Sequence, residues 1–203
     1  MAVPESLRSA FRILGSRGLK VLYGPPLSCK TSLALAFIHS RGEKPATYVG
    51  LGKHYRTAEE LKGFVKTYGI LNFKEELDFL LSLHSTLREG EFLAYDGFGA
   101  TLLPLRSELK ESSVIRLAML VVALLKVAAQ THSASVLVLT TETGKSRPLM
   151  FKALSSYSDL FIRVQREEKT LQLIMQQPNL LELHRVILPL DEIYRAIAPL
   201  KKY

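Results

Sequence analysis

The stretch LKVLYGPPLSCKT, residues 19–31, combines three local signals in an order that decides the fold. Its first residues, Leu19–Tyr23, form a mainly apolar run that predicts a strand. Gly24-Pro25-Pro26 then predicts a sharp turn. Between Thr31 and His39 the apolar residues recur at helical spacing, so the turn leads directly into a helix. The chain therefore passes from the carboxyl end of a strand to the N-terminus of a helix.

The turn matches the phosphate-binding signature G-x-x-x-x-G-K-[ST] at every fixed position but one. In such a loop, backbone N–H groups and the helix N-terminus hold the phosphates of a nucleotide. The Lys30 ammonium reaches the β- and γ-phosphates, and the Thr31 hydroxyl binds Mg²⁺. The nucleotide-binding residues predicted for the loop are Gly24, Pro25, Pro26, Leu27, Ser28, Cys29, Lys30 and Thr31.

Cys29 stands where the signature has its second glycine. Glycine keeps the backbone close to the phosphates, whereas a Cβ atom adds bulk, and a side chain as small as this one is compatible with binding. The alternative is a loop that keeps its shape and has lost the nucleotide. For the thiol itself we expect a packing role rather than redox chemistry.

Phe92–Asp96 supplies a second element of a nucleotide site, an apolar strand that ends in a carboxylate. We expect this strand to lie beside the strand of the phosphate loop, with Asp96 holding Mg²⁺ together with Thr31. The alternative is that Asp96 is an ordinary turn residue, since strands often end in aspartate.

The remaining pattern alternates strands with helices and so predicts an α/β fold. Its sheet is expected to be mostly parallel and twisted, flanked by helices, with an antiparallel hairpin near the C-terminus. The predicted strands are Ala46–Leu51, Ser135–Thr140, Leu160–Val164 and Thr170–Met175. The predicted helices are Thr57–Tyr68, capped by Thr57 with Glu60, then Glu75–Leu83 and Val114–Gln130, which should leave little surface for water.

Composition limits the class of protein. With 203 residues, 47% of them hydrophobic, the chain suits a single domain over residues 1–203 and excludes disorder. One cysteine excludes a disulfide framework, and the five histidines lie far apart without zinc spacing. The apolar stretch Val114–Ala129 has only nine uncharged residues between Arg116 and Lys126, so we expect a buried helix. We therefore expect a cytoplasmic protein without a membrane partner, and its net charge of +8 favours polyanionic ones.

These motifs resemble, in order and spacing, those of the RecA/RadA recombinase superfamily, especially small archaeal RadA paralogues that consist of the ATPase core alone. The resemblance runs from about Leu14 to Leu190. It includes the phosphate loop, TAEELKGFVKTYG at residues 57–69, FLAYDGFGA at residues 92–100 and SVLVLTTET at residues 135–143. It implies a RecA-like P-loop ATPase core that binds ATP and Mg²⁺ at the carboxyl edge of its parallel strands.

Two departures from the family bear on hydrolysis. Family members that hydrolyse ATP have a glutamate at the end of the second strand, but the corresponding residues 48–52 contain no carboxylate. Losing a general base costs ~10²–10⁴-fold in rate, so we expect slow hydrolysis or none. Glu142 aligns with the family's polar sensor after the central strand. It is a candidate catalytic residue that takes over water activation, and the alternative is a solvated residue at a strand end.

The resemblance also implies two loops that contact single-stranded DNA, here about residues 102–113 and 143–152. The first loop has no net charge, whereas the second carries three basic residues and no acid after Glu142. The predicted DNA-binding residues are Lys145, Arg147 and Lys152. The alternative is that these charges, like the cluster at residues 8–20, are the ordinary solvated surface of a basic protein.

We therefore expect an ATP-binding recombinase paralogue that acts as an accessory factor in DNA recombination or repair, with a recombinase or paralogue as a second kind of partner. One alternative is a non-hydrolysing scaffold with a vestigial nucleotide site. Its docking element would lie in residues 1–18, through exposed Leu7, Phe11, Ile13 and Leu14. Another alternative is a signalling ATPase of the KaiC type, whose turnover would not depend on DNA.

Overall fold

The strands pair into one sheet in the computed structural model, which describes residues 5–61, 65–144 and 146–198. They are β1 (Gly18–Gly24), β2 (Ala46–Leu51), β3 (Lys66–Ile70), β4 (Phe92–Asp96), β5 (Ser135–Thr141), β6 (Leu160–Arg166), β7 (Thr170–Gln176) and β8 (Glu182–Pro189). Their order across the sheet is β3-β2-β4-β5-β1-β6-β7-β8. The pairs from β3 to β6 are parallel, and β7 pairs antiparallel with both β6 and β8.

Helices cover both faces of this sheet. They are α1 (Glu5–Leu14), α2 (Lys30–Ser40), α3 (Tyr55–Glu60), α4 (Phe73–Thr86), α5 (Glu111–Thr131), α6 (Phe151–Ser155) and α7 (Leu190–Ile197). One apolar layer joins the sheet to α4, α5 and α6, and a second joins its other face to α1, α2, α3 and α7. The predicted α/β architecture, with a mostly parallel sheet and a C-terminal antiparallel hairpin, is confirmed.

The burial of the two central strands explains why their sequences are apolar enough to predict strands. β1 pairs with β5 in register from Gly18 opposite Ser135 to Gly24 opposite Thr141. Both strands are buried on both faces, as expected of parallel strands between helical layers. The carboxyl end of β1 therefore opens into the phosphate loop at the middle of the sheet.

The helix predicted over Thr57–Tyr68 is wrong in its bounds. The helix is the shorter α3. Residues 62–64 lie outside the described residues, and the chain then forms β3. Tyr68 lies in β3 opposite Val49 of β2. Threonine, tyrosine and isoleucine favour extended backbone, and pairing satisfies the free hydrogen-bonding edge of β2. Thr57 lies inside α3 and does not cap it.

The capping box lies at the start of the next helix instead. Asn72 caps α4: its side chain accepts from the backbone N–H of Glu75 at 3.0 Å. In return, the Glu75 carboxylate accepts from the backbone N–H of Leu71 at 2.8 Å. The first bond satisfies an N–H group that the first turn of a helix leaves without a partner, and the second holds the residue just before the cap.

Helix α5 is less covered than its composition predicts. By length and apolarity it is the one helix, among the described residues, that would suffice to cross a membrane, and 39% of its most apolar window is buried. Residues such as Val114, Val121 and Leu125 pack onto the sheet. Leu120 and Val127 are exposed, so the expectation of a helix with little surface for water is wrong.

Helix α1 is part of the core. Leu7, Phe11 and Leu14 lie on one face of α1 and are buried against the sheet, where each large apolar side chain contributes about 1.5–3 kcal/mol. Ile13 packs against the same cluster and is half-buried. The expectation that these side chains are exposed for docking is therefore wrong, because the helix needs them to attach to its own domain.

Candidate nucleotide site

The phosphate loop lies between β1 and α2, where the carboxyl ends of β1, β5 and β6 come together. Gly24 has no room for a side chain: a Cβ atom there would lie 2.3 Å from the carbonyl oxygen of Val164 in β6. Ser28 is buried beneath the loop, whereas Pro25, Pro26 and Leu27 are exposed. The loop is thus held against the sheet at its start and presents its tip outward.

Lys30 folds back over this loop. Its Nζ atom donates to the carbonyl oxygens of Gly24 at 2.9 Å and Pro25 at 2.8 Å, and to the hydroxyl of Ser28 at 3.1 Å. Burial lowers the pKa of the ammonium, and the nearby Asp96 carboxylate opposes that shift. The positive charge is held over the loop, where the β- and γ-phosphates of a nucleotide would lie.

Cys29 adopts the left-handed conformation, with φ 63°, immediately before the first residue of α2. Leu27 is also left-handed, with φ 62°. A glycine adopts this backbone without strain, whereas an L-residue pays about 1–2 kcal/mol. The loop thus has left-handed backbone at the position where the signature has glycine, and the thiol packs beside the apolar layer under α2.

Asp96 reaches the loop from β4, although β4 is not the neighbour of β1 that the sequence led us to expect: β5 lies between them. The buried Asp96 carboxylate accepts from the Thr31 hydroxyl at 2.6 Å. The same oxygen accepts from the Tyr48 hydroxyl at 2.8 Å and lies 3.4 Å from Nδ1 of His54. Thr31 and Asp96, predicted to share a metal ion, are in contact.

Tyr48 and His54 belong to the site and were not predicted as site residues. Tyr48 lies in β2 with its side chain buried, and burial beside Asp96 raises the pKa of its phenol, so it stays protonated and donates. His54 ends the 3₁₀ turn Gly52–His54 that follows β2. The order of residues gave no signal for either contact, which depends on β2 lying beside β4.

Glu142 is held by Arg163 of β6. Both of its carboxylate oxygens accept from the guanidinium, at 2.8 and 3.0 Å, and this pairing is the largest cause that raises the pKa of Arg163. Only 11% of the Glu142 side chain is exposed, so the alternative of a solvated strand-end residue is wrong. The ion pair ties the end of β5 to β6.

The second predicted DNA loop follows directly. Lys145 lies outside the described residues, whereas Arg147 and Lys152 are exposed on either side of the start of α6. The guanidinium of Arg147 lies over the ring of Phe151, 5.4 Å from its centroid. Ser146 accepts from Arg163 at 3.1 Å, so this loop is connected to the Glu142 ion pair.

A cavity of about 610 Å³ opens beside the phosphate loop. Among the described residues that line it, Asp96 is the one carboxylate. Besides the loop, its walls include Lys53 and His54 after β2, Arg166 at the end of β6, and Tyr194 of α7. Arg166 and Tyr194 could not be found from the sequence, because they come from the C-terminal part of the chain, far from the motifs.

The histidines do not all lie far apart. The rings of His84 and His132 meet with centroids 5.8 Å apart, because the ends of α4 and α5 are neighbours. No group of three or more histidine, cysteine, aspartate or glutamate side chains that could hold a metal ion occurs within residues 5–61, 65–144 and 146–198. That pair therefore does not make a zinc site with other described residues.

The order of strands, the phosphate loop after β1 and the carboxylate after β4 together define a protein with the RecA-type P-loop fold, the core fold of the RecA/RadA superfamily. A crystal structure of the RadB recombinase is similar to this chain, with a TM-score of 0.68 and 20% sequence identity, over 92% of this chain and 94% of that one. At this identity the similarity establishes the fold. No family model and no curated protein matches the sequence.

Proposed function

We propose that this protein binds Mg²⁺·ATP at the phosphate loop and acts in the cytoplasm as an accessory factor in DNA recombination or repair, with slow hydrolysis or none. One observation carries the proposal. Lys30, Thr31 and Asp96, residue types that phosphate and Mg²⁺ binding use, come together at the carboxyl edge of the sheet. The RecA-type fold supports the recombination context, although such folds host many activities.

The oxygen donors at this edge suit Mg²⁺. Thr31 Oγ1 and Asp96 Oδ2 lie 2.6 Å apart, and hydroxyl and carboxylate oxygens are the ligands that this ion takes alongside water and phosphate. Thr31 and Asp96 would hold the ion, with Tyr48 orienting the carboxylate through its hydrogen bond. When bound, the ion would neutralise charge on the phosphates.

Slow hydrolysis follows from the groups that line the cavity. Among the described residues that line the cavity, Asp96 is the one carboxylate, and it is engaged with Thr31. Glu142 is the candidate that the sequence suggests, but both of its oxygens are bonded to Arg163. We propose that Glu142 stabilises the junction of β5 and β6 rather than activating water.

Binding of single-stranded DNA is proposed for residues 143–152. Arg147 and Lys152 are exposed there, Lys145 adds a third positive charge in the sequence, and phosphate contacts dominate non-specific affinity for DNA. Stacking support is thin, since Phe151 is half-buried under Arg147 and its ring packs on Phe161. The proposed binding is therefore mainly electrostatic.

The nucleotide proposal is tested by thermal unfolding with and without Mg²⁺·ATP. At 100 times the dissociation constant, ATP should raise the melting temperature by about 5–10 °C. Lys30→Ala should lose this shift, whereas Lys44→Ala, which removes an exposed lysine in the turn between α2 and β2, should keep it. An equal shift in Lys30→Ala would refute the site.

The DNA proposal is tested by fluorescence anisotropy of labelled single- and double-stranded oligonucleotides, with and without Mg²⁺·ATP. Lys145→Ala/Arg147→Ala/Lys152→Ala should weaken binding at least tenfold. The matched control is Arg106→Ala/Lys110→Ala, because these exposed residues belong to the first loop, which carries no net charge. Equal affinity in the triple variant and the wild type would remove the DNA role from this loop.

A scaffold that binds a recombinase is the second candidate function. It is favoured by the sheet edge, where β8 exposes Leu183 and Ile187 next to the exposed Leu181. Binding to a purified recombinase that persists in Lys30→Ala, together with no shift by ATP in the wild type, would support it. Rapid ATP hydrolysis that does not depend on DNA would instead support the signalling ATPase. The lack of a free carboxylate among the described residues of the cavity argues against that function.

A further inference from the structure

The cavity beside the phosphate loop is lined by two chemically different sets of residues. One set supplies the oxygen and nitrogen groups of Thr31, Asp96 and His54, which suit a metal ion and the terminal phosphate. Leu27, Arg166 and Tyr194 also line the cavity, and hydrogen-bond distances place Tyr194 beside Cys29 and Arg166 beside Leu27. A nucleotide whose γ-phosphate and metal lie at the first set must extend its nucleoside away from it.

Tyr194 is held over the start of α2 by its own helix. Leu190, Ile193 and Ile197 bury the inner face of α7, which packs against α2. The Tyr194 hydroxyl lies 3.3 Å from Sγ of Cys29, the residue just before α2. The residue is 38% exposed and is one of those that line the cavity.

Arg166 and Leu27 complete the second set. Arg166 is the last residue of β6, and its guanidinium donates to the carbonyl oxygen of Leu27 at 3.5 Å. Leu27 is 88% exposed and left-handed, an unfavourable combination for a leucine that contributes nothing to the core. An apolar side chain, a planar cation and a phenol thus lie beside a phosphate site.

Flat heteroaromatic rings bind to such groups. Nucleic-acid bases stack on tyrosine rings and on guanidinium planes, and this stacking is largely indifferent to the identity of the base. From this geometry we infer that Tyr194 and Arg166, with Leu27, form the nucleobase subsite of the cavity, and that Tyr194 is its main stacking surface. The inference rests on the proposed nucleotide binding and adds the residues that recognise the nucleoside.

The test compares two ligands that share phosphates and differ in the nucleoside, Mg²⁺·ATP and Mg²⁺·tripolyphosphate, by isothermal titration calorimetry on the full chain. Tyr194→Ala should weaken ATP about tenfold and leave tripolyphosphate unchanged, as the removal of one stacking partner predicts. Tyr194→Phe should bind ATP within about twofold of the wild type, because it keeps the ring and loses only the hydroxyl. Arg166→Lys, which keeps the charge and loses the plane, should weaken ATP alone by about threefold.

Arg195→Ala is the matched control, since it removes a long exposed side chain next to Tyr194 on the same helix. Circular dichroism and the melting temperature establish that each variant is folded. If Tyr194→Ala lowers the affinity for both ligands equally, or if Tyr194→Phe loses as much as Tyr194→Ala, the subsite is refuted while nucleotide binding stands. If the wild type binds neither ligand, nucleotide binding itself is refuted and the subsite with it.

Discussion

At the scale of the residue, Cys29 shows how a phosphate loop keeps its shape without its second glycine. The left-handed backbone is retained, and the thiol finds a place between the apolar layer and Tyr194. Cys29→Gly and Cys29→Ala both lose the sulfur contact, but only alanine keeps the Cβ atom that opposes this conformation. The free energy of unfolding should therefore be higher for Cys29→Gly than for Cys29→Ala, by about 1 kcal/mol.

Urea unfolding of the two variants measures that difference directly, because it compares two proteins that lack the thiol. The corresponding change at an exposed helical position, Ser85→Gly against Ser85→Ala, should have the opposite sign, since glycine is the poorer residue inside a helix. If Cys29→Ala proves as stable as Cys29→Gly, position 29 is not strained.

A second prediction concerns Glu76, a carboxyl group buried in the core. Its oxygens accept from the hydroxyls of Tyr95 and Thr101, and burial raises its pKa above the ordinary 4.5. Because the folded-state pKa is the higher one, its contribution to stability is fully present below about 4.5 and is lost as pH rises through the folded-state pKa. Glu76→Gln cannot ionise, so the variant should gain stability relative to the wild type across that window.

Chemical unfolding at several pH values from 4 upward measures this gain. The difference in the free energy of unfolding between the variant and the wild type should change by at most about 1.4 kcal/mol per pH unit. Ser85→Ala, which changes an exposed residue that does not ionise, should run parallel to the wild type throughout. A Glu76→Gln curve that also runs parallel would mean that Glu76 titrates with an ordinary pKa.

Site residues could be predicted from the sequence where they belong to one contiguous motif or end a strand. The loop residues and Asp96 could be predicted from spacing, because the signature is contiguous and a carboxylate at a strand end is visible in one dimension. Tyr48 and Tyr194 could not be predicted, because nothing in their own neighbourhoods indicates a partner. Their contacts arise from the lateral order of strands and from the packing of α7 on α2.

At the scale of the element, the ion pair between Glu142 and Arg163 joins the end of β5 to the middle of β6, across the strand β1 that leads into the phosphate loop. Glu142→Gln would leave the half-buried guanidinium with a neutral partner. We expect a loss of about 1–3 kcal/mol in the free energy of unfolding. We also expect affinity for Mg²⁺·ATP within about threefold of the wild type, because Glu142 is absent from the described lining of the cavity.

Glu182→Gln provides the comparison, because the Arg185–Glu182 pair on β8 is about half exposed and should contribute less than about 1 kcal/mol. Single-turnover hydrolysis in the same variants addresses catalysis. A fall of ~10²-fold or more in Glu142→Gln alone, without a loss of stability, would identify Glu142 as the general base after all.

Elements were predictable where burial was complete. β1, β4 and β5 are buried almost along their length and appear as mainly apolar runs. The edge strand β3 is mostly half-buried and β8 is largely exposed, and neither gives such a run. β3 was therefore mistaken for the end of a helix, and β8 was missed. In both cases pairing with a neighbour, rather than local pattern, determines the strand.

At the scale of the whole molecule, the proposed nucleotide and DNA sites lie at one edge of the sheet. Asp96 ends β4, and Glu142 at the end of β5 links through Arg163 to Ser146 of the proposed DNA loop. Leu149 of the same loop lines the nucleotide cavity. A nucleotide in the cavity would therefore contact the base of the DNA loop, which gives a physical route by which ATP would alter DNA binding.

The last prediction concerns the distribution of the net charge of +8. If DNA binds at residues 143–152, the affinity should depend on salt mainly through that loop, with ~0.7 in the log–log slope for each phosphate contact on a single strand. Lys145→Ala/Arg147→Ala/Lys152→Ala should therefore lower the slope by about 2. Arg12→Ala/Arg17→Ala and Arg106→Ala/Lys110→Ala, which remove exposed charges elsewhere, should leave the slope within about 0.3 of the wild type.

The slope is measured by anisotropy titrations of a single-stranded oligonucleotide between about 50 and 300 mM salt, a range over which such slopes are linear. These titrations distinguish binding at one loop from attraction to the whole basic surface. A slope that falls in proportion to the charge removed, whichever variant is used, would mean that DNA is attracted by the whole basic surface. A slope that falls most in Arg12→Ala/Arg17→Ala would move the DNA to α1 and the turn that follows it. The proposed site requires the loop variant alone to change the slope.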